Sequence, residues 1–305
     1  MVMLIALVAS KDAMAQQDAM YTHYSFNTLA VNPAYAGSRD ALTFTALHRS
    51  QWVSFPGAPV TQTLTIHTPI STDNVGLGLS IVNDKAGPLR HTEVNVDVAY
   101  ILNVNQEDRL AFGIKGGVDF FKGDFADIMT GEEGDDVFGV NVGTKAKPNF
   151  GMGIYYYKPK FYAGISSPGL LKNSYSNDEA ANGIETYSQD QHLYLISGAV
   201  FDINFDWKFK PTTFIKLTKG APIEADLTPT FILRDRVNLG VMYRTGDAFG
   251  LLAGFNLNEQ FLLSYSFDWS LTNPTGKYND GSHEIMLRYD FIYKHRRKIK
   301  SPRYF

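Results

Sequence analysis

The chain has 305 residues, among them 17 Tyr, 21 Phe and 26 Gly but no Cys, and 19% are charged, against roughly 25% in a typical soluble domain. A net charge of −3 leaves no electrostatic footprint for a nucleic-acid partner. The lack of cysteine excludes disulfide staples and thiolate chemistry.

Residues 2–9 are an apolar run, and Ala13-Met14-Ala15 supplies a small-x-small pattern before Gln16. This predicts a secretory signal over 1–15, although the usual basic start is missing. Beyond Ala15 no apolar run approaches the roughly 18 residues of a membrane helix. A membrane-spanning form must then be a closed β-barrel, since only helices and barrels satisfy every backbone group internally.

Residues 16–40 lack alternation, and Pro33 and Gly37 punctuate them. Two readings stay open here, a segment packed into a barrel lumen and a periplasmic leader. From Ala41 onward the alternation predicts fourteen strands, at 41–53, 60–68, 75–83, 91–102, 108–121, 149–157, 160–166, 191–202, 206–217, 223–233, 236–245, 248–257, 260–271 and 282–292. An even number suits a bacterial single-chain barrel, so the predicted fold is a single 14-stranded antiparallel transmembrane β-barrel over 41–292.

The faces are distinct. Val94, Val96, Val98 and Tyr100 oppose Glu93, Asn95, Asp97 and Ala99, and Phe261, Leu263, Tyr265 and Phe267 oppose Ser264, Ser266 and Asp268. In the last strand Ile285, Leu287, Tyr289 and Phe291 oppose Glu284, Met286, Arg288 and Asp290. One face fits lipid and the other a polar lumen. Pro211 and Pro229 remove ladder donors, which predicts strand ends or bulges there. Even-numbered connections are short, whereas 122–148 and 167–190 are long. Sorting by parity is the outer-membrane pattern, with long loops outside the cell.

The acidic run from Gly131 to Asp136 reads as a solvated loop or a calcium site. Residues 293–305 form a basic tail on the periplasmic side, either disordered or docked to an acidic partner. No phosphate-cradling loop, nucleophile elbow or His-Glu-x-x-His is present. His283 and Glu284 are adjacent and therefore face opposite sides of a strand. Binding is expected here, with no catalysis, cofactor or metal required.

The order Tyr21-Thr22-His23-Tyr24-Ser25-Phe26-Asn27, Asn32-Pro33-Ala34-Tyr35-Ala36-Gly37, Arg49-x-Gln51-Trp52, Gly57-Ala58-Pro59, Gly76-x-Gly78 with Asn83-Asp84, Tyr162-Ala163-Gly164, Lys210-Pro211 and His283-Glu284 resembles the PorP/SprF family of type IX secretion system membrane proteins. The ending Ser301-Pro302-Arg303-Tyr304-Phe305 resembles its SprF branch, associated with gliding motility. The resemblance implies an outer-membrane barrel that receives a large secreted adhesin through the adhesin's C-terminal domain and works beside other type IX secretion components. Asn32, Tyr35, Arg49, Gln51 and Trp52 are the candidate partner-binding residues, or equally the residues that seat the N-terminal segment. A passive diffusion channel for small solutes is the alternative, and no nucleic acid is expected.

Overall fold

The computed structural model describes residues 20–70, 74–124, 142–176, 185–271, 277–292 and 304–305. The signal segment, the acidic run 131–136 and most of the basic tail lie outside these residues.

Where apolar and polar residues alternate, a β-strand puts them on opposite faces, and pairing each strand with two neighbours satisfies every ladder group. The wall strands are β1 (Leu42–Ser50), β2 (Val60–Pro69), β3 (Val75–Ala86), β4 (Leu89–Asn103), β5 (Arg109–Gly123), β6 (Val142–Lys158) and β7 (Phe161–Ser167). After a small hairpin, β8 (Ser174–Ser176) with β9 (Glu185–Ser188), come β10 (His192–Ala199), β11 (Phe201–Asp202), β12 (Trp207–Thr218), β13 (Glu224–Leu233), β14 (Val237–Arg244), β15 (Ala248–Asn256), β16 (Phe261–Ser270) and β17 (Ser282–Phe291). All wall pairings are antiparallel, and β1 pairs with β17 from Leu42↔Phe291 to Ser50↔His283, closing the ring. Since β11 continues β10 along β12, the described residues form a closed barrel of fourteen staves, one for each predicted strand.

The burial pattern is that of a soluble protein turned inside out. Ile285, Leu287 and Phe291 are 49, 41 and 49% exposed, while Glu284, Met286, Arg288 and Asp290 are 6% exposed or less. Leu77, Val96, Leu239 and Leu263 likewise face outward, and Asn95, Asp97, Ser264 and Asp268 inward. Water would make such a surface unstable, whereas lipid makes it the favourable arrangement. No described helix is long and apolar enough to cross a membrane.

Two details correct the sequence reading. Pro211 and Pro229 are mid-strand and lie opposite each other, with β12–β13 register continuous through them. The ladder breaks on the far side of each instead, between Gly198↔Thr212 and Phe201↔Phe209, and between Leu227↔Tyr243 and Thr230↔Gly240. Each proline's missing donor therefore faces its other neighbour, which is why β10 is interrupted at Val200. The second correction is the first long connection, which is 124–141 and not 122–148. Strands β5 and β6 run on, paired through Asp119↔Lys147 and Gly123↔Val142. Past Ser167 no β7 pairing covers β6, so Pro148 needs no donor there, and its carbonyl accepts a bond from Asn173 instead.

A cation placed on the outer face mid-strand reports the membrane directly. Leu251, 45% exposed and flanked by Val241 and Phe267, is such a position. Leu251→Arg is expected to cost about 2–4 kcal/mol of folding free energy in lipid vesicles, read by urea titration. A cost near zero would place that face outside the hydrocarbon.

Candidate functional site

The inward faces are charged, and residues 20–39 meet them. Glu284 and Asp268 lie on neighbouring strands, with Arg49 across from Glu284 on β1. Arg49 Nη1 donates to Asp268 Oδ2 at 2.7 Å, to Glu284 Oε2 at 3.1 Å and to Thr22 Oγ1 at 3.0 Å. Glu284 accepts the backbone N–H groups of Thr22 and His23 at 2.9 and 2.8 Å, and its Oε1 lies 2.6 Å from His23 Nδ1. The other ring nitrogen, Nε2, is 2.7 Å from Ser264 Oγ. All these side chains are buried. Burying such charges is tolerable only when they are paired and their remaining atoms bonded, and the N-terminal backbone supplies part of that bonding.

Other contacts continue along the segment. Arg244 forks onto Asp226 at 2.8 and 2.7 Å and reaches the Tyr21 carbonyl, a bidentate geometry that fixes orientation as well as charge. Asn27 accepts from Thr65, the Ala30 carbonyl from Lys115, and the Val31 carbonyl from Ser166. One helical turn, α1 (Thr28–Val31), leads to a 3₁₀ turn at Pro33–Tyr35 that Asn32 caps by accepting the Ala34 N–H. Arg39 then pairs with Asp290 at 2.9 Å, which also accepts from Thr43.

Wall glycines admit this path. A β-carbon on Gly76 would come 2.0 Å from the Ala36 carbonyl oxygen, one on Gly113 2.2 Å from Ala34 N, and one on Gly153 2.1 Å from Asn32 Oδ1. Leu29, Ala34, Tyr35 and Ala36 pack with Ala99, Ala111, Tyr155 and Tyr162 in one buried cluster.

The five candidate residues divide among three places. Asn32 and Tyr35 are in the segment, Asn32 donating to the Ile154 carbonyl and Tyr35 lying edge-on to His67 and Tyr155. Arg49 holds the carboxylates on the opposite wall. Gln51 and Trp52 are apart from all three, in the first connection at the long-loop rim, where the Gln51 N–H bonds Pro59 and the Trp52 N–H bonds Ser282. Sequence reading missed His23, Glu284 and Asp268 as partners. The available signal was alternation, which put Glu284 and Asp268 on inward faces, but nothing local joined them to Arg49 or His23. As expected, His283 faces away from Glu284, its ring 2.6 Å from Tyr265 Oη.

At the short-turn rim, Lys210 Nζ lies over the Phe26 ring and donates to the Tyr304 carbonyl at 2.8 Å. Phe305 packs edge-on against Tyr162, and its carbonyl accepts from Arg39. A cavity of about 770 Å³ opens there, lined by Phe26, Arg39, Arg288, Asp290 and the turns at 234–236 and 257–260. On the other side of the segment, between Tyr24, Glu93, Lys216 and Arg244, the space is about 50 Å³.

The family model for the type IX secretion system membrane protein PorP/SprF matches residues 13–289. The chain belongs to the PorP/SprF family. Among solved structures this PorP/SprF barrel is similar to the CymD monoaromatic hydrocarbon channel (TM-score 0.50, 9% identity, covering 88% of this chain and 94% of that one). It is also similar to the toluene transporter TodX of P. putida (0.49, 7%, 88% and 94%) and the toluene transporter TbuX of Ralstonia pickettii (0.48, 9%, 87% and 93%). At such identities the likeness to CymD speaks to fold alone. No curated protein matches the chain. The protein is thus an outer-membrane β-barrel of the type IX secretion system.

Arg49→Met removes the shared cation and leaves Asp268 and Glu284 facing each other. It is expected to destabilise the barrel by about 3–5 kcal/mol, the usual cost of breaking a buried pair from one side, read as a lower urea midpoint. The double change Arg49→Met with Glu284→Gln is expected to recover part of that loss.

Proposed function

We propose that this barrel is a non-catalytic anchor. It receives one large secreted adhesin at the cell surface through the adhesin's C-terminal domain and holds it there, in support of gliding or adhesion. The observation that carries this reading is the lumen itself, where residues 20–39 are hydrogen-bonded to inward-facing side chains around the ring. A solute pathway needs a continuous aqueous space. Among the described residues the larger cavity ends against Phe26 and Arg39, and the pocket between Tyr24, Glu93, Lys216 and Arg244 on the other side of the segment is about 50 Å³. On this reading the segment acts as a plug, and the passive channel is the weaker reading.

The rim that would meet the adhesin is tied together. Val53 N–H bonds Gly281 and Asp280 N–H bonds Val53, so the first and last outer connections are laced to each other, while Gly87 N–H bonds Gly57. Phe55 and Tyr278, 40 and 68% exposed, stand on this braced edge as aromatic anchors of the kind that dominate protein interfaces.

Affinity capture of the tagged barrel from detergent-solubilised outer membranes is expected to bring down one very large secreted protein in near-equal amount. An empty barrel that conducts ions in planar bilayers would overturn the anchor reading. Replacing 168–191 by a short Gly-Ser turn is expected to leave heat-modifiable barrel mobility intact and to lower surface adhesin. Undiminished adhesin would exclude that connection from the contact. Gly113→Leu, which puts side-chain atoms where Ala34 lies, is expected to raise single-channel conductance. Unchanged conductance would argue against the segment as the seal.

A further inference from the structure

Strands β4 and β5 carry a second inward-facing cluster above the N-terminal segment. His91 and Glu93 are two residues apart on one face of β4, and Glu93 is the cross-strand partner of Asp119. His91 Nδ1 lies 3.6 Å from Glu93 Oε1. One ligand atom from each of His91, Glu93 and Asp119 can be chosen so that all lie within 4.8 Å of one another. Atoms bound to a common zinc-class ion at about 2.0–2.2 Å lie no more than about 4.4 Å apart, so the three side chains need draw in only slightly to share one.

A fourth group borders the same place. Asn95, next along that face of β4, is completely buried, and its amide nitrogen is 3.4 Å from Glu93 Oε2 while its Oδ1 has no hydrogen-bond partner. Turning the amide over brings that oxygen to the position from which the nitrogen now meets Glu93. We propose that His91, Glu93 and Asp119, assisted by Asn95 Oδ1, bind a divalent first-row transition-metal ion of the zinc or manganese class. An imidazole with two carboxylates and an amide oxygen is a mixed nitrogen–oxygen set, which suits such ions better than the all-oxygen shell of calcium.

The ion would fasten the outer connection to the wall. Asp119 accepts from Asn173 at 3.3 Å, and the Asn173 carbonyl in turn accepts the Gln189 N–H. Phe121, beside the site on β5, stacks on Tyr175 at 4.8 Å. Both ends of the β8–β9 hairpin are therefore within one side chain of the proposed ligands.

The purified, folded barrel, stripped with chelator and titrated separately with Zn²⁺, Mn²⁺ and Ca²⁺, provides the test, with bound metal counted by elemental analysis and affinity by calorimetry. One Zn²⁺ or Mn²⁺ per barrel is expected, with binding lost in Glu93→Gln and in His91→Gln. Asn95→Leu is expected to weaken binding about 10–100-fold, as for outer-shell groups that orient ligands. His91 and Glu93 are both partly exposed, so His91→Gln keeps the test open if Glu93→Gln fails to fold. Asp97→Asn, on the same face but paired with Lys115, should bind as the wild type does. Preference for Ca²⁺, no binding, or binding unchanged in His91→Gln would overturn the proposal. Adhesin capture does not enter the measurement, so failure of the anchor reading would leave its result standing.

Discussion

A buried cation must be paired, and in this barrel one nitrogen of Arg49, Nη1, is met by Asp268, Glu284 and Thr22 together. The three partners come from two non-adjacent parts of the chain, so satisfying one guanidinium brings the N-terminal segment to the closing strands. Glu284 extends the arrangement by accepting two backbone N–H groups and facing the His23 ring. Water in an open lumen would solvate these groups one by one. With the segment in place they solvate one another, and Arg244–Asp226 beside Tyr21 and Arg39–Asp290 at the segment's far end repeat the device.

The outer surface obeys the opposite rule. Lipid offers no hydrogen bonds, so every ladder must close and every outward side chain must be apolar or aromatic across the hydrocarbon. Pro211 and Pro229 show how narrow that rule is. Facing each other, they leave their shared ladder whole and confine the lost donors to one break in each neighbouring ladder. Beyond the membrane the rule relaxes, and β5 and β6 continue as a paired ribbon carrying lysines and Pro148.

That difference explains what was legible from residues alone. The fourteen staves could be read because lipid on one side and a polar lumen on the other impose a period of two, as along Ile285 to Phe291. The continuation of β5 and β6 could not, because outside the membrane Lys145-Ala146-Lys147-Pro148 carries no such contrast. Which residue fills the space that each wall glycine leaves depends on the path of a segment without periodicity. Asn32 and Tyr35 stood out by motif, whereas His23 and Glu284 are separated by most of the sequence and meet only once the ring has closed. Gln51 and Trp52 share a motif with Arg49 but not a location, since the strand ends at Ser50 and the chain turns outward into the rim.

The contact between His23 and the last strand also orders the birth of the molecule. The segment is made first, yet its principal acceptors, Glu284 and Asp268, are among the last residues to arrive. Until then Arg49 has neither carboxylate, and the segment has no complete seat. The charge balance in the lumen therefore depends on the closing strands being in register with β1.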